Sequence, residues 1–553
     1  MILGLDVGGT QTDSVLIEGG RIIAECKVPT GGDLLETLGN SLTRTLDGVK
    51  PEAVERMVFS TTMATNAIVQ DRMDPAGVIV SAGPGIDPAL HEVGPCYRVV
   101  PGCIDHQGFE VQKLDRSMVA GAASDIKSRG IDSLAAVGKF SVRNPVHEEQ
   151  IRNCTDGHFR HVAMGHHISG SLNFPRRIAT AYLNAALSAI HHRFIDALSE
   201  TFSEMHLEAP SYLLKPDGGT CRPDSGPALP SRTAQSGPAA SVMGALALDG
   251  CEGTTLVLDI GGTTTDMSVV LDGVPLLDPK GIALGPYLTL IRSLIPHSAG
   301  IGGDSSIRLQ QDGTLSIGPD RIGAPVAFGG RVPTPTDAMI AMGLLEAGDR
   351  GAALDAMGMI GGTLGCGRGE ASRFVLESTA RRIADEVRGF LEMLNSRPVY
   401  TIHEVLHDRP IIPSRVVIIG GPAAQLAPFV ASALGLDYSV PAHYEVANAV
   451  GAAVARVTAM VTLQADTERG TVIIPEAGIN RPISMQFDIH EAEALAEEAL
   501  RSAAASAGGE AVEISVVERQ CFNMIRGYSR TGRNIRLKLC VTPGLTAEWS
   551  RGK

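Results

Sequence analysis

The chain has 553 residues, of which 44% are hydrophobic and 20% charged, with a formal net charge of −14. This length allows about three to four domains or two large ones, and so much apolar content excludes disorder as the main state. The acidic balance excludes a broad nucleic-acid footprint and attraction to anionic membrane surfaces, and aromatic residues at 4% leave little for a base-stacking platform.

The nine cysteines are scattered and form no C-x-x-C pair, so zinc-ribbon and thioredoxin-like readings fail. They read as free thiols of a reducing compartment. Residues 1–6 have no basic region and their apolar run stops at once, so no signal peptide is expected. No stretch reaches about 18 uninterrupted apolar residues. The expected location is cytoplasmic, with neither nucleic acid nor membrane as a partner.

In chain order, Ile2-Leu3-Gly4-Leu5 reads as a strand entering Asp6-Val7-Gly8-Gly9-Thr10-Gln11-Thr12-Asp13, and Ser14 to Gly20 as a second strand ending in a turn. A helix is expected over 33–47, a strand over 54–60, a helix over 114–130 and a strand over 133–141. Residues 176–206 show helical spacing, with Ile178, Tyr182, Leu183, Leu187 and Ile190 on one face. The Pro/Gly/Ser-rich 215–236 reads as a loop, and Ser236-Gly237-Pro238 starts a helix. Leu256-Val257-Leu258 is a strand entering Asp259-Ile260-Gly261-Gly262-Thr263-Thr264-Thr265-Asp266, with Met267 to Gly273 returning. Gly361 to Gly369 reads as a Gly-rich loop before a long amphipathic helix over 371–395, fit equally for a phosphate contact or a plain connection. Val416 to Ile419 is a buried-strand run ending in Gly420-Gly421-Pro422, ahead of a helix over 423–434; a small-residue helix is expected over 445–461. The tail, 463–553, reads as a small α+β appendage: an Ala-rich helix over 490–507, then β-type runs over 512–517 and 535–541. Its arginines at 519, 526, 530, 533 and 536 are a solvated face or a contact surface for a partner protein. Alternating β and α elements imply mostly parallel sheets.

One echo organises the chain. Residues 6–13 and 259–266 agree at six of eight positions, with matched strand flanks. Adjacent glycines let a backbone turn tightly and approach a ligand, and the N–H groups of such a turn make an anion nest. Thr10 and Thr263 add hydroxyl donors. Asp6 and Asp259, at strand ends, suit a hydrated Mg²⁺, and Asp13 and Asp266 suit the same cleft. Two such hairpins can grip the two ends of a triphosphate. The strand ending at Gly420 and Gly421 suits the packing of a base and ribose.

This order of motifs resembles the actin-like ATPases (sugar kinases, heat-shock chaperones, actin), and more finely the A-type component of the hydantoinase/oxoprolinase family, over about residues 1–460. The resemblance is carried by residues 60–67 (Ser-Thr-Thr-Met-Ala-Thr-Asn-Ala), Asn144-Pro145-Val146-His147-Glu148, residues 181–185, Gly300-Ile301-Gly302-Gly303-Asp304-Ser305, Gly318-Pro319 and residues 333–338 (Pro-Thr-Pro-Thr-Asp-Ala). It departs from the family at Asp304, where a third glycine is usual, at Gln11, where Phe is frequent, in the shortened stretch before Gly329-Gly330, and in lacking G-R-Q near residues 93–96.

The resemblance implies an α/β fold: two duplicated actin-like (ribonuclease H-like) domains with an interdomain ATP cleft, plus the appendage. The boundaries are 1–175, 176–462 and 463–553. It implies ATP and Mg²⁺ as cofactors, a small cyclic amide or imide as substrate, and a separate B-type partner component in a homo- or hetero-oligomer. The activity implied is ATP-dependent hydrolysis of a hydantoin or 5-oxoproline-like lactam through carbonyl phosphorylation. Asp259, Asp266 and Asp13 are the expected catalytic carboxylates, with Asp6 and Asp259 at the metal. Gly8, Gly9, Thr10, Thr12, Gly261, Gly262, Thr263 and Thr264 are expected at the phosphates, Gly420 and Gly421 at the adenosine. Thr65, Asn66, Gly302, Gly303 and Asp304 are expected on the substrate side. The same cleft motifs also fit an ATP-driven switch acting on a partner protein, or a small-molecule kinase.

Other chemistries find less support. His158, His161, His166, His167, His191 and His192 cluster in sequence, but no H-E-x-x-H or matched carboxylate spacing accompanies them. There is neither a G-x-S-x-G elbow nor a G-x-x-x-x-G-K-[ST] loop.

Overall fold

The computed structural model describes the chain apart from residues 32, 226–228, 279, 311–313, 398–409, 511–512 and 552–553. It packs as two compact units. The first comprises Met1–Gly237, Asp278–Ser293 and Ala452–Lys553; the second comprises Pro238–Leu277 and Leu294–Gly451. Among the described residues no helix is long and apolar enough to cross a membrane.

In the first unit, β1 (Ile2–Val7) is wholly buried, as a strand covered on both faces must be. It pairs antiparallel with β2 (Gln11–Glu18), which pairs with β3 (Arg21–Pro29). On its other side β1 runs parallel to β4 (Arg56–Thr61), and Ser211–Leu214 runs parallel to β4. A second, all-parallel sheet contains Ala76–Ser81, Cys96–Val99, Ser133–Gly138 and His161–Met164. The helix Phe174–Ala186 buries Ile178, Tyr182 and Leu183 with this sheet's Val78, Val80, Ala135 and Val137. The third sheet is antiparallel, and the alanine-rich helix Ile489–Ser506 packs on it through Leu495, Ala496, Ala499 and Leu500.

The second unit repeats the plan of the first sheet. Thr254–Ile260 pairs antiparallel with Thr265–Leu271 and parallel with Arg415–Ile419, which runs parallel to Asp437–Ser439. The helices Pro335–Ala341, Arg350–Leu364, Arg368–Asn395 and Ala423–Leu434 enclose its core, with Leu256, Leu258, Val416 and Ile418 fully buried.

Several elements differ from their expected form. The stretch 176–206 is two helices, Phe174–Ala186 and Ser188–Glu204, joined at the buried Leu187; the apolar face runs through the junction, so periodicity does not mark the break. The small-residue segment 445–461 is α-helical only over Ala447–Val454, behind a 3₁₀ turn at Tyr444–Val446, and Met460 already begins a strand. Gly361 and Gly362 lie inside the helix Arg350–Leu364, which Gly365 (φ +71°) caps, and Gly369 lies in the next helix. The Gly-rich loop is thus reduced to residues 365–367, since a helix tolerates glycine when its neighbours pack. In the segment 215–236, Thr220–Cys221 forms a short strand and Pro230–Thr233 a helical turn. The tail's β-type runs belong to two thirteen-residue strands, Ile514–Arg526 and Ser529–Val541; Val512 lies outside the described residues. Much of Ile514–Arg526 is exposed, so it carries no burial alternation to read.

Candidate phosphate hairpins and their surroundings

The second hairpin is the better furnished. Gly261 N–H donates to the Thr264 carbonyl (2.9 Å), closing the turn. The N–H groups of Gly262 and Thr263 donate to no carbonyl or side chain among the described residues. Asp259 and Asp266 face each other across the two strands. The Asp259 carboxylate is fixed by Ser241 Oγ (2.6 Å) and Asn448 Nδ2 (3.2 Å), donors from two different helices. Burial, and then the neighbouring Asp259 charge, push the Asp266 carboxyl up to about 6, against a smaller opposing effect of the Ser298 hydrogen bond.

The glycine loop at 300–305 packs on this turn. Gly303 N–H donates to the Gly261 carbonyl (3.0 Å) and Asp304 N–H to that of Gly262 (2.7 Å). A Cβ at Gly302 would lie 2.5 Å from the Gly261 carbonyl oxygen, so only glycine allows the approach. Asp304 accepts from Thr336 Oγ1 (3.0 Å) and pairs with Arg321 (2.9 Å), which also donates to Thr263 Oγ1 (3.2 Å). Burial holds its carboxyl above the usual range despite Thr336 and Arg321. Gly303 and Asp304 therefore sit against the turn with their N–H groups committed to it, while Gly302 touches it and gives its own N–H to Ser305 Oγ (2.8 Å).

Gly420 comes to the same place. Its φ is +96°, and a Cβ there would lie 2.4 Å from the Ile260 carbonyl oxygen and 2.5 Å from Asp259 Oδ1. Gly421 has open space around its Cα. Sequence reading found the hairpin and the two glycines but not Ser241, Asn448, Arg321 or Thr336. Asn448 is 189 residues from Asp259, and nothing local marks it.

The first hairpin has the same turn. Gly8 N–H donates to the Gln11 carbonyl (3.0 Å), while the N–H groups of Gly9 and Thr10 donate to no carbonyl or side chain among the described residues. Asp6 faces Asp13, which pairs with Lys27 (3.2 Å). Thr12 is buried and its hydroxyl meets Thr30 Oγ1 (3.0 Å). Asn66 Nδ2 would lie 3.3 Å from a Cβ on Gly9. Thr65 Oγ1 accepts from Gln235 N–H (2.7 Å), a bond that ties the helix Met63–Val69 to the chain before Ser236.

The histidines divide into pairs. His161 stacks on His192 at 4.6 Å and His166 meets His167 at 4.2 Å. Burial pushes His167 and His191 down to about 4. The buried Glu148 accepts from Gly138 N–H (2.7 Å), His166 N–H (2.8 Å) and His166 Nδ1 (2.6 Å). Burial alone would raise its carboxyl, but His166 and these N–H groups hold it below the ordinary range. His147 lies between Ser81 Oγ (2.9 Å) and Glu110 (3.1 Å). No group of three or more metal-ligating side chains occurs among the described residues.

A titration follows from Asp266. Its carboxyl holds a proton in the folded protein up to about pH 6, whereas an unfolded aspartate loses it near pH 4. Between these values the native state binds more protons, so stability falls as pH rises, by about 3 kcal/mol in all for two units of difference. Asp266→Asn is expected to match the parent near pH 4 and to melt at higher temperature than the nucleotide-free parent above pH 6. A constant difference across thermal melts from pH 4 to 8 would remove Asp266 as the cause.

The model for the hydantoinase/oxoprolinase N-terminal region matches residues 2–158, and the hydantoinase/oxoprolinase model matches residues 177–461. This boundary in sequence differs from the packing boundary at Gly237. The alpha chain of the caprolactamase of Pseudomonas jessenii is 25% identical over 467 residues, covering 76% of this chain and 65% of that protein. The gamma chain of the acetophenone carboxylase of Aromatoleum aromaticum is 26% identical, covering 62% of this chain and 53% of that one. The chain thus spans about half to two thirds of these relatives' length. Among solved structures, nucleotide-free acetone carboxylase (TM-score 0.70) and the ATP-dependent caprolactamase of Pseudomonas jessenii (0.68) share the fold; each is 18% identical, covering 99% of this chain and 88% of its own. With one model spanning more than half of its residues, the chain belongs to the hydantoinase/oxoprolinase family.

Proposed function

We propose that the chain is the ATP-binding part of an enzyme that opens a cyclic amide or imide, such as a hydantoin or a 5-oxoproline-like lactam, and that its two hairpin sheets are a duplicated actin-like pair. The observation that carries this reading is the second hairpin, with two unspent N–H groups beside an Asp259 held by Ser241 and Asn448. Such a turn offers oriented donors to phosphate oxygens at no further ordering cost. The relatives named above point to amide and ketone substrates of ATP-dependent enzymes.

In this reading Gly262, Thr263 and, in the first unit, Gly9 and Thr10 hold phosphates through their N–H groups. Asp259 and Asp6 suit the water shell of a Mg²⁺, since each is a carboxylate at a strand end beside its turn. The metal would supply neutralisation of phosphate charge. Gly420 and Gly421 contact adenosine, Gly421 with open space beside it, and Asp266 or Asp13 orients or deprotonates a nucleophile. A lactam resists water because of amide resonance. Moving the terminal phosphoryl group to its carbonyl oxygen releases ADP; a first water adds at the carbon and the ring nitrogen leaves with a proton, opening the ring to an acyl phosphate, and a second water then releases phosphate and the carboxylate. These steps rest on positioning and charge neutralisation. A separate partner protein is proposed to complete the reaction, because the relatives are named as subunits.

The test is phosphate release from Mg-ATP by the purified chain, alone and with hydantoins, 5-oxoproline and other lactams. One ring compound is expected to stimulate release. A single slow rate whatever the ring would favour the partner-protein switch, and a stable phosphorylated product would identify a kinase.

A further inference from the structure

Within the first unit, away from its hairpin turn, lies a cavity of about 390 Å³, a size ordinary for small-molecule sites. Lys215, Asp217, Arg232, Arg292 and Glu476 line it, and Leu229, Leu290, Met460 and Ala503 supply apolar wall. Small residues on the helix Ile489–Ser506, Ala499 and Ala503 among them, leave the space open.

The charges in this cavity do not cancel. Its two carboxylates are already engaged by other donors. Asp217 is buried and accepts from Gly219 N–H (3.0 Å) and Thr458 Oγ1 (3.1 Å). Glu476 accepts from Gly170 N–H (2.8 Å) and Thr462 N–H (3.0 Å). The cations are served unequally. Lys215 Nζ donates to the Thr458 carbonyl (2.8 Å) and Oγ1 (2.5 Å) and stands 3.6 Å from Asp217. Arg292 gives one Nη2 contact to Cys540 Sγ at 3.5 Å, a weak acceptor. Its buried Nη1 has no hydrogen-bond acceptor among the described residues, and Asp217 Oδ2 is 3.9 Å away. Arg232 adds a third cation at the exposed rim. His167 is neutral at pH 7, its imidazole pushed down to about 4 by burial. Behind the wall, burial and then the Arg292 charge depress the Lys538 ammonium. A half-buried guanidinium with a buried, unspent N–H donor is costly to leave unanswered. A planar carboxylate answers its fork geometry, and the apolar wall suits a short hydrocarbon body.

We propose that this cavity binds a small carboxylate with an apolar body, its head group held by Arg292 and Lys215. The proposal does not rest on the ATP reading and is tested without nucleotide. Hexanoate is titrated into the full chain by calorimetry in a buffer free of carboxylates. Saturable binding is expected, with hexanamide, the neutral isostere, weaker by about 10- to 100-fold, the worth of a charge-assisted hydrogen bond. Arg292→Met is expected to lose a similar factor. Arg232→Gln, at an exposed position that does not endanger the fold, should weaken binding by a smaller factor. The proposal is overturned by hexanamide binding as well as hexanoate, by no saturable binding in the millimolar range, or by unchanged affinity in both variants. Inorganic phosphate displacing hexanoate with equal affinity would overturn the carboxylate class.

Discussion

Asp259→Asn is expected to lower phosphate release from Mg-ATP by about 10²- to 10³-fold, the range seen when one preorganised electrostatic group is removed from a reacting centre. The asparagine keeps the shape and an oxygen that can accept from Ser241 and Asn448, whose donors sit 2.6 and 3.2 Å from the present carboxylate. What it removes is the negative charge that a hydrated Mg²⁺ would face. The thermal midpoint should therefore stay near the parent's. Turnover close to the parent's in a folded variant would sink the assignment of the second hairpin to ATP, whatever the ring substrate proves to be.

Gly420→Val is expected to destabilise the second unit severely. At φ +96° a β-branched residue is strained. Its Cβ would also press on the Ile260 carbonyl and on Asp259 Oδ1, at 2.4 and 2.5 Å. The first of these is backbone in the central strand, which cannot swing aside. Strain and overpacking together should cost about 4 kcal/mol or more. Gly421→Ala is the control, because its Cβ meets nothing within 4 Å. Equal thermal midpoints for Gly420→Val and Gly421→Ala would contradict the close approach.

The hairpins were legible because their demands are local. Two glycines, a strand-end aspartate and a threonine lie within a few residues, and the motif occurs twice, at 6–13 and 259–266. What holds those aspartates was not legible. Ser241 lies in a helix of mostly small and apolar residues and Asn448 in a small-residue one, and neither sequence context requires a polar partner. Arg321 and Thr336 reach Asp304 from 17 and 32 residues away. The cavity was invisible for the same reason: Lys215, Arg292 and Thr458 come from three separate stretches of chain. The helix break at Leu187 escaped because burial continues through it. The long strand Ile514–Arg526 escaped because exposure on both faces leaves no period of two.

The division of the first unit into three stretches orders events on the ribosome. Arg56 donates to the Ala455 carbonyl (3.0 Å), and Thr220 N–H to that of Arg456 (2.9 Å). These bonds join residues made early to residues made late. Synthesis proceeds at about 5–20 residues per second, so the stretch Ala452–Lys553 takes about 5–20 s. Until it emerges, Arg56 waits on a nascent sheet without its Ala455 acceptor, whereas every residue of the second unit, which ends at Gly451, has already been made. The unit begun ahead of the other is thus completed after it.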